Sequence, residues 1–161
     1  MLDCPDNLNT GLYTRFMALR DAARIRGTHH VGGRFENSYV DAADIPDIAS
    51  VLTRVKRQAA LQLGVPEQDL KAGFWFNAMG PGQRTLPHHH DEDDELLSAV
   101  YYVRVPENSG DLILHVEEDR ITIRPQEGKL VMFAPALVHE VTENLSQALR
   151  LSVAINVGPA R

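Results

Sequence analysis

Apolar positions change their period once along this chain. Up to Gly64 they recur every three or four residues, and from Lys71 onward they fall into short blocks between turns. Leu12, Phe16, Leu19 and Ala23 make a first helical stripe, which Thr10 can cap and Gly27 would end. The polar, glycine-bearing segment Thr28-His-His-Val-Gly-Gly-Arg34 reads as a loop, and its His29 and His30 as loop histidines. A second stripe of Ile48, Val51, Leu52, Val55, Ala59 and Leu63 predicts a helix from Asp44 to Gly64, with Pro46 in its first turn and Pro66 blocking its resumption. Arg54, Lys56 and Arg57 fall on the other side of that helix and read as a solvated face.

The second half is strand-like. Phe74–Met79 is aromatic and extended, and Gly80-Pro-Gly82 turns the chain. Further strands are expected over Leu96–Val103, Asp111–Val116, Ile121–Ile123, Lys129–Phe133, Leu137–Val141 and Leu149–Val157, separated by Pro-, Gly- and Asn-bearing turns. Such spacing describes an antiparallel sandwich or barrel, mainly β, with the N-terminal helices packed on one outer face.

Composition narrows the function classes. A chain of 161 residues can bury about two-thirds of its unfolded surface, and no linker or repeat divides it, so one domain over 1–161 is expected. Its helical portion would be 1–66 and its β core 71–158. A net charge of -6 argues against nucleic acid and anionic membranes as partners. The start lacks a signal-peptide pattern and no apolar run is long enough to span a bilayer, so a cytoplasmic location is expected. A single cysteine, Cys4, excludes an internal disulfide and a multi-cysteine metal site.

The chemistry concentrates in Pro87-His88-His89-His90-Asp91. In an extended segment His88 and His90 share one face, and His89 and Asp91 the other. Either pair offers two adjacent metal ligands, since neutral imidazole and carboxylate suit iron and its neighbours. His139 is the candidate third ligand. Arg150-Leu-Ser152 follows in an apolar strand, where an unpaired charge would be very costly, so Arg150 needs either an anionic ligand or a structural partner such as Glu140.

These residues resemble the Fe(II)- and 2-oxoglutarate-dependent oxygenases, whose core is a double-stranded β-helix, a jelly-roll or cupin-like barrel. The family pattern is His-x-Asp, sometimes altered at the acid, then a distant histidine, then Arg-x-Ser about ten residues on; its second half falls here on His139 and Arg150-Leu-Ser152. Asn77-Ala-Met-Gly-Pro-Gly82, Pro87-His88, Leu97-Ser-Ala-Val-Tyr-Tyr102 and Pro106-Glu-Asn-Ser-Gly-Asp-Leu112 are similar to a less-characterised branch of that superfamily. The resemblance implies an enzyme that couples oxidation by dioxygen, usually hydroxylation of an unactivated C–H bond, to conversion of 2-oxoglutarate into succinate and CO2. It implies Fe(II) as cofactor and a 2-oxoglutarate pocket of Arg150, Ser152, Tyr102, Asn77 and Asn156. Spacing from the Pro81-Gly82 turn favours His88 and His90 with His139 as ligands. The superfamily's commoner His-x-Asp gives the alternative register, His89 and Asp91 with His139.

Two other readings stand beside this one. Gly82, His88-x-His90 and Glu95 also match most of a cupin motif, which would mean a metalloenzyme without 2-oxoglutarate. A non-catalytic metal-bearing binding or sensor module is the third. The acidic run Glu92-Asp-Asp-Glu95 reads either as a solvated loop or as a rim that favours cationic prime substrates.

Overall fold

The structure, a computed structural model, describes residues 5–90 and 93–161; Cys4, Asp91 and Glu92 lie outside the described residues. The first helix, α1 (Pro5–Asp21), buries Leu12, Phe16 and Leu19. Thr10 lies inside it instead of capping it, and the helix stops well short of Gly27, because Ala23 takes a left-handed φ of 55° and redirects the chain. Residues 28–34, expected as a loop, belong to a β-hairpin of β1 (Arg26–Val31) and β2 (Arg34–Tyr39). Its two-residue turn, Gly32-Gly33, has φ of 59° and 81°, which a tight hairpin requires and glycine supplies freely. The strands carry few apolar residues, so their alternation left no hydrophobic trace. The N-terminal portion therefore holds two strands besides its helices.

The second helix, α2 (Ile48–Leu63), starts later than Asp44. Residues Ala42–Asp44 form a separate 3-10 turn capped by the Asp41 side chain on Ala43 N (3.0 Å), and Pro46 precedes the helix. Gly64 ends it in the left-handed conformation, φ 69°, as its sequence position implied.

Eight strands follow: β3 (Leu70–Met79), β4 (Thr85–His88), β5 (Leu97–Arg104), β6 (Leu112–Val116), β7 (Asp119–Ile123), β8 (Leu130–Phe133), β9 (His139–Val141) and β10 (Arg150–Pro159). They form two antiparallel sheets, one of order β1-β2-β3-β10-β5-β8 and the other β4-β9-β6-β7. This is the double-stranded β-helix, with the sheets left open at their edges. Strand β10 lies between β3 and β5, and its alternation sorts two environments. Leu151, Val153, Ile155 and Val157 join the large apolar cluster with α1 and α2. Arg150, Ser152, Ala154 and Asn156 point into the space between the sheets, where the apolar cluster is small: Met79, Leu112, Leu114, Phe133 and Val141.

Tyr101 and Tyr102 are both buried and face opposite ways. Tyr101 packs under the helices and donates its hydroxyl proton to Asn9 Oδ1 at 2.6 Å. Tyr101→Phe leaves that buried amide oxygen without its donor, and a loss of about 1–3 kcal/mol is expected in urea unfolding. An unchanged midpoint would mean the bond contributes nothing. Among the described residues no helix is long and apolar enough to cross a membrane.

Candidate metal centre

Strands β4 and β9 are neighbours, and their register sets His88 directly opposite His139. His90 lies just past β4, where its backbone N–H donates to Pro135 O at 2.8 Å and turns the ring inward. The ring centroids stand 4.2 Å (His88–His139), 4.8 Å (His88–His90) and 5.2 Å (His90–His139) apart. One ligand atom from each lies within 4.8 Å of the others. His89 is exposed and outside this group, and Asp91, the acid of the alternative register, lies outside the described residues.

Two of the rings are already oriented for a cation. His88 Nδ1 contacts Leu86 O at 2.8 Å and His139 Nδ1 contacts Leu137 O at 3.0 Å. A carbonyl only accepts, so each Nδ1 carries the proton and each Nε2 keeps its lone pair. The His90 ring is braced edge-on against Trp75, centroids 5.5 Å apart.

Burial, reinforced by the neighbouring imidazoles, holds the conjugate acid of His139 down to about 3 and that of His90 to about 4. Both rings are thus neutral in the folded protein at pH 7. In the unfolded chain they titrate near pH 6.5, roughly. Their contribution is therefore fully present above that pH and is lost as pH falls toward 4 and then 3. The metal-free protein should accordingly show falling urea midpoints between about pH 7 and pH 5, above most carboxylate titration. A midpoint flat across that interval would contradict the buried-neutral assignment.

Beside the histidines the same cavity contains Arg150, 1% exposed, and among the described residues none of its three guanidinium nitrogens meets a hydrogen-bond acceptor in bonding geometry. Glu140 does not serve it; that carboxylate is taken by His115 (2.9 Å) and Arg120 (3.2 Å). Burial lowers the Arg150 pKa from its ordinary value, with Tyr102 and Asp111 opposing, and a guanidinium stays charged across the working pH range. The Arg150 guanidinium stands 5.3 Å from the centre of the Tyr102 ring, whose buried hydroxyl has no neighbour but Arg150 acting on it as a hydrogen-bond partner among the described residues. Across the large sheet Ser152 lies opposite both Tyr102 and Asn77, so these three share one row, and Asn156 lies opposite Ser98 and Gly73. Asn77 lines the cavity, but its amide is already committed to Arg34 (2.9 Å) and Thr85 (2.9 Å). Among the described residues Asn156 Oδ1 has no partner, and its Nδ2 reaches Glu95 Oε1 at 3.5 Å.

Several residues of this site carried no sequence signal. Trp75, Thr85, Ser98, Phe133 and Glu36 line the cavity, and Arg34 is buried behind its wall. Only the alternation of β3 could have pointed to Trp75, which shares a face with Asn77.

Two facing sheets enclose an imidazole cluster that could hold a metal and a buried guanidinium with no carboxylate partner among the described residues, in a cupin-like jelly roll. The sequence profile of the 2OG-Fe(II) oxygenase superfamily matches residues 74–158, more than half of the chain, and the chain belongs to that superfamily. It is an Fe(II)- and 2-oxoglutarate-dependent enzyme. No curated protein matches it in sequence. Its fold is shared by a prolyl-4-hydroxylase from Pseudomonas putida, 19% identical, TM-score 0.77, covering 98% of this chain and 89% of that one. A prolyl hydroxylase from Trichoplax adhaerens, solved with a hypoxia inducible factor peptide, is 14% identical with a TM-score of 0.72, covering 94% and 78%. The epimerase SnoN, solved with Fe3+, alpha ketoglutarate and nogalamycin RO, is 15% identical with a TM-score of 0.74, covering 98% and 75%.

The residues present fit both groups. Three converging imidazoles, two of them held with Nε2 lone pairs available, suit a divalent first-row metal. A buried guanidinium without acceptors is costly unless a carboxylate meets it, and the 2-oxoacid brings one.

Proposed function

We propose that this protein hydroxylates an unactivated C–H bond of a prime substrate, with one atom of dioxygen entering the product and the other entering succinate as 2-oxoglutarate loses CO2. The observation that carries this reading is the placement of Arg150, buried and without an ion-pair partner among the described residues, in the same cavity as three converging histidines. His88, His90 and His139 hold the metal through Nε2 of the two carbonyl-anchored rings and a ring nitrogen of His90. Bound Fe(II) supplies the activation of dioxygen that couples the two oxidations.

The chain's own groups do the rest. Three neutral ligands leave the metal's double charge unbalanced, which favours a dianionic cosubstrate. Arg150 receives the distal carboxylate through its planar fork. The Tyr102 hydroxyl donates to that carboxylate, with Ser152 in the same row behind it. Burial pushes the Tyr102 phenol up from its ordinary value, so it stays protonated and able to donate. Asn77 and Asn156 form polar walls.

Glu36 lines the cavity and Glu95 adjoins it through Asn156. These carboxylates support a cationic prime substrate. Asp93 N–H donates to Glu95 Oε2 at 3.2 Å and Asp94 pairs with Arg161 at 3.8 Å, so part of the acidic run is engaged within the protein.

The test is turnover of labelled 2-oxoglutarate in air. Succinate should form with Fe(II) and fail to form without it, and 18O2 should label a product recovered from a metabolite or peptide pool. Succinate formation indifferent to iron would overturn the reading.

A further inference from the structure

The Thr85 hydroxyl, buried in the cavity wall, has a polarity that its neighbours fix. Its oxygen accepts from Arg34 Nη2 at 3.0 Å and from Asn77 Nδ2 at 2.9 Å. Neither bond can be reversed. A guanidinium has no acceptor, and the Asn77 amide is oriented by its own Oδ1, which accepts from Arg34 Nη1 at 2.9 Å. A hydroxyl has two lone pairs and one hydrogen, so with both lone pairs used it must donate. Among the described residues its one acceptor is the thioether of Met79 at 3.5 Å, which is weak. Met79 is the register partner of Arg150 across β3 and β10, and Thr85 and Arg150 line the same cavity.

We propose that Arg34, acting through Asn77 and Thr85, locks the Thr85 hydroxyl as a hydrogen-bond donor to the carboxylate received by Arg150. This rests on the reading that Arg150 holds the distal carboxylate of the 2-oxoacid. Arg34 itself does not line the cavity and is a positioning residue. It opens β2 directly after the Gly32-Gly33 turn and also donates to Ala78 O (3.2 Å) and Arg84 O (3.0 Å). One side chain thereby ties the hairpin, β3 and the segment entering β4 together, and sets the direction of one proton. Replacing a thioether by a carboxylate as acceptor turns a weak contact into a charge-assisted bond.

The test measures 2-oxoglutarate dissociation constants by calorimetry under argon on the full chain loaded with Mn(II), where no turnover occurs. Thr85→Val, which keeps shape and loses the hydroxyl, should weaken binding roughly 10- to 100-fold, the range for a hydrogen bond to a charged group. Thr85→Ser restores the hydroxyl and should stay within about threefold of wild type. Arg34→Lys keeps the charge but cannot make the fork, and should weaken binding when Thr85 is present and have no further effect in Thr85→Val. Mn(II) affinity should be unchanged throughout. Thr85→Val binding as tightly as wild type would overturn the proposal, and so would an Arg34→Lys loss of equal size in both backgrounds. A wild-type protein that loads Mn(II) but does not bind 2-oxoglutarate would overturn the Arg150 reading and this one with it, a result distinguishable from the others by the wild-type titration alone.

Discussion

Arg150→Ala is expected to lose 2-oxoglutarate binding by at least about 100-fold while Fe(II) affinity stays close to wild type, the loss corresponding to a buried charge pair broken on one side. Among the described residues Arg150 has no carboxylate partner and only Tyr102 beside it, so removing it leaves no broken ion pair behind. The folded chain should even gain stability without cosubstrate, since a desolvated, uncompensated cation has been removed. That sign separates a ligand-binding arginine from a structural one, which would leave a broken ion pair and a weaker fold. The measurement is a pair of unfolding curves, with and without saturating 2-oxoglutarate. Wild type should be stabilised by the ligand and the variant should not. A variant destabilised on its own and still stabilised by 2-oxoglutarate would contradict the assignment.

The second large effect concerns the metal. His90→Ala or His139→Ala takes one of three nitrogen donors out of a cluster whose ligand atoms lie within 4.8 Å of one another, and tight Fe(II) binding should be abolished. Asp91→Ala should cost no more than roughly 10- to 100-fold, the range for a group beyond the ligands themselves. Stoichiometric Fe(II) under argon is the readout. Iron retained in His90→Ala and lost in Asp91→Ala would assign the metal to the alternative register with His89.

Much of this candidate site was legible in the sequence because most of its parts lie on or beside short strands. The pair His88 and His90 has the spacing of two that an extended segment gives, although β4 ends at His88, and the step from His139 to Arg150 spans the single connection between β9 and β10. The apolar neighbours that made Arg150 conspicuous, Leu151, Val153 and Ile155, turn out to face the helices, while Arg150 faces the cavity. What was not legible depends on pairing between distant segments. Arg34 meets Asn77 and Thr85 only because the hairpin adds to the edge of β3, and the polar strands Arg26–Val31 and Arg34–Tyr39 carry no hydrophobic period to announce it. Helix ends drifted for a similar reason: Ala23 in a left-handed conformation, not Gly27, redirects the chain after α1.

The most direct test of the whole account is an anaerobic titration of the protein with Fe(II) and 2-oxoglutarate, followed by metal-to-ligand charge-transfer absorption. The band requires the 2-oxoacid to chelate iron that the protein holds, so metal site and cosubstrate site are read in one signal. Wild type should develop the band with one equivalent of each, while His139→Ala and Arg150→Ala should not at the same concentrations. A wild-type protein that binds Fe(II) yet shows no band at saturating 2-oxoglutarate would contradict the account.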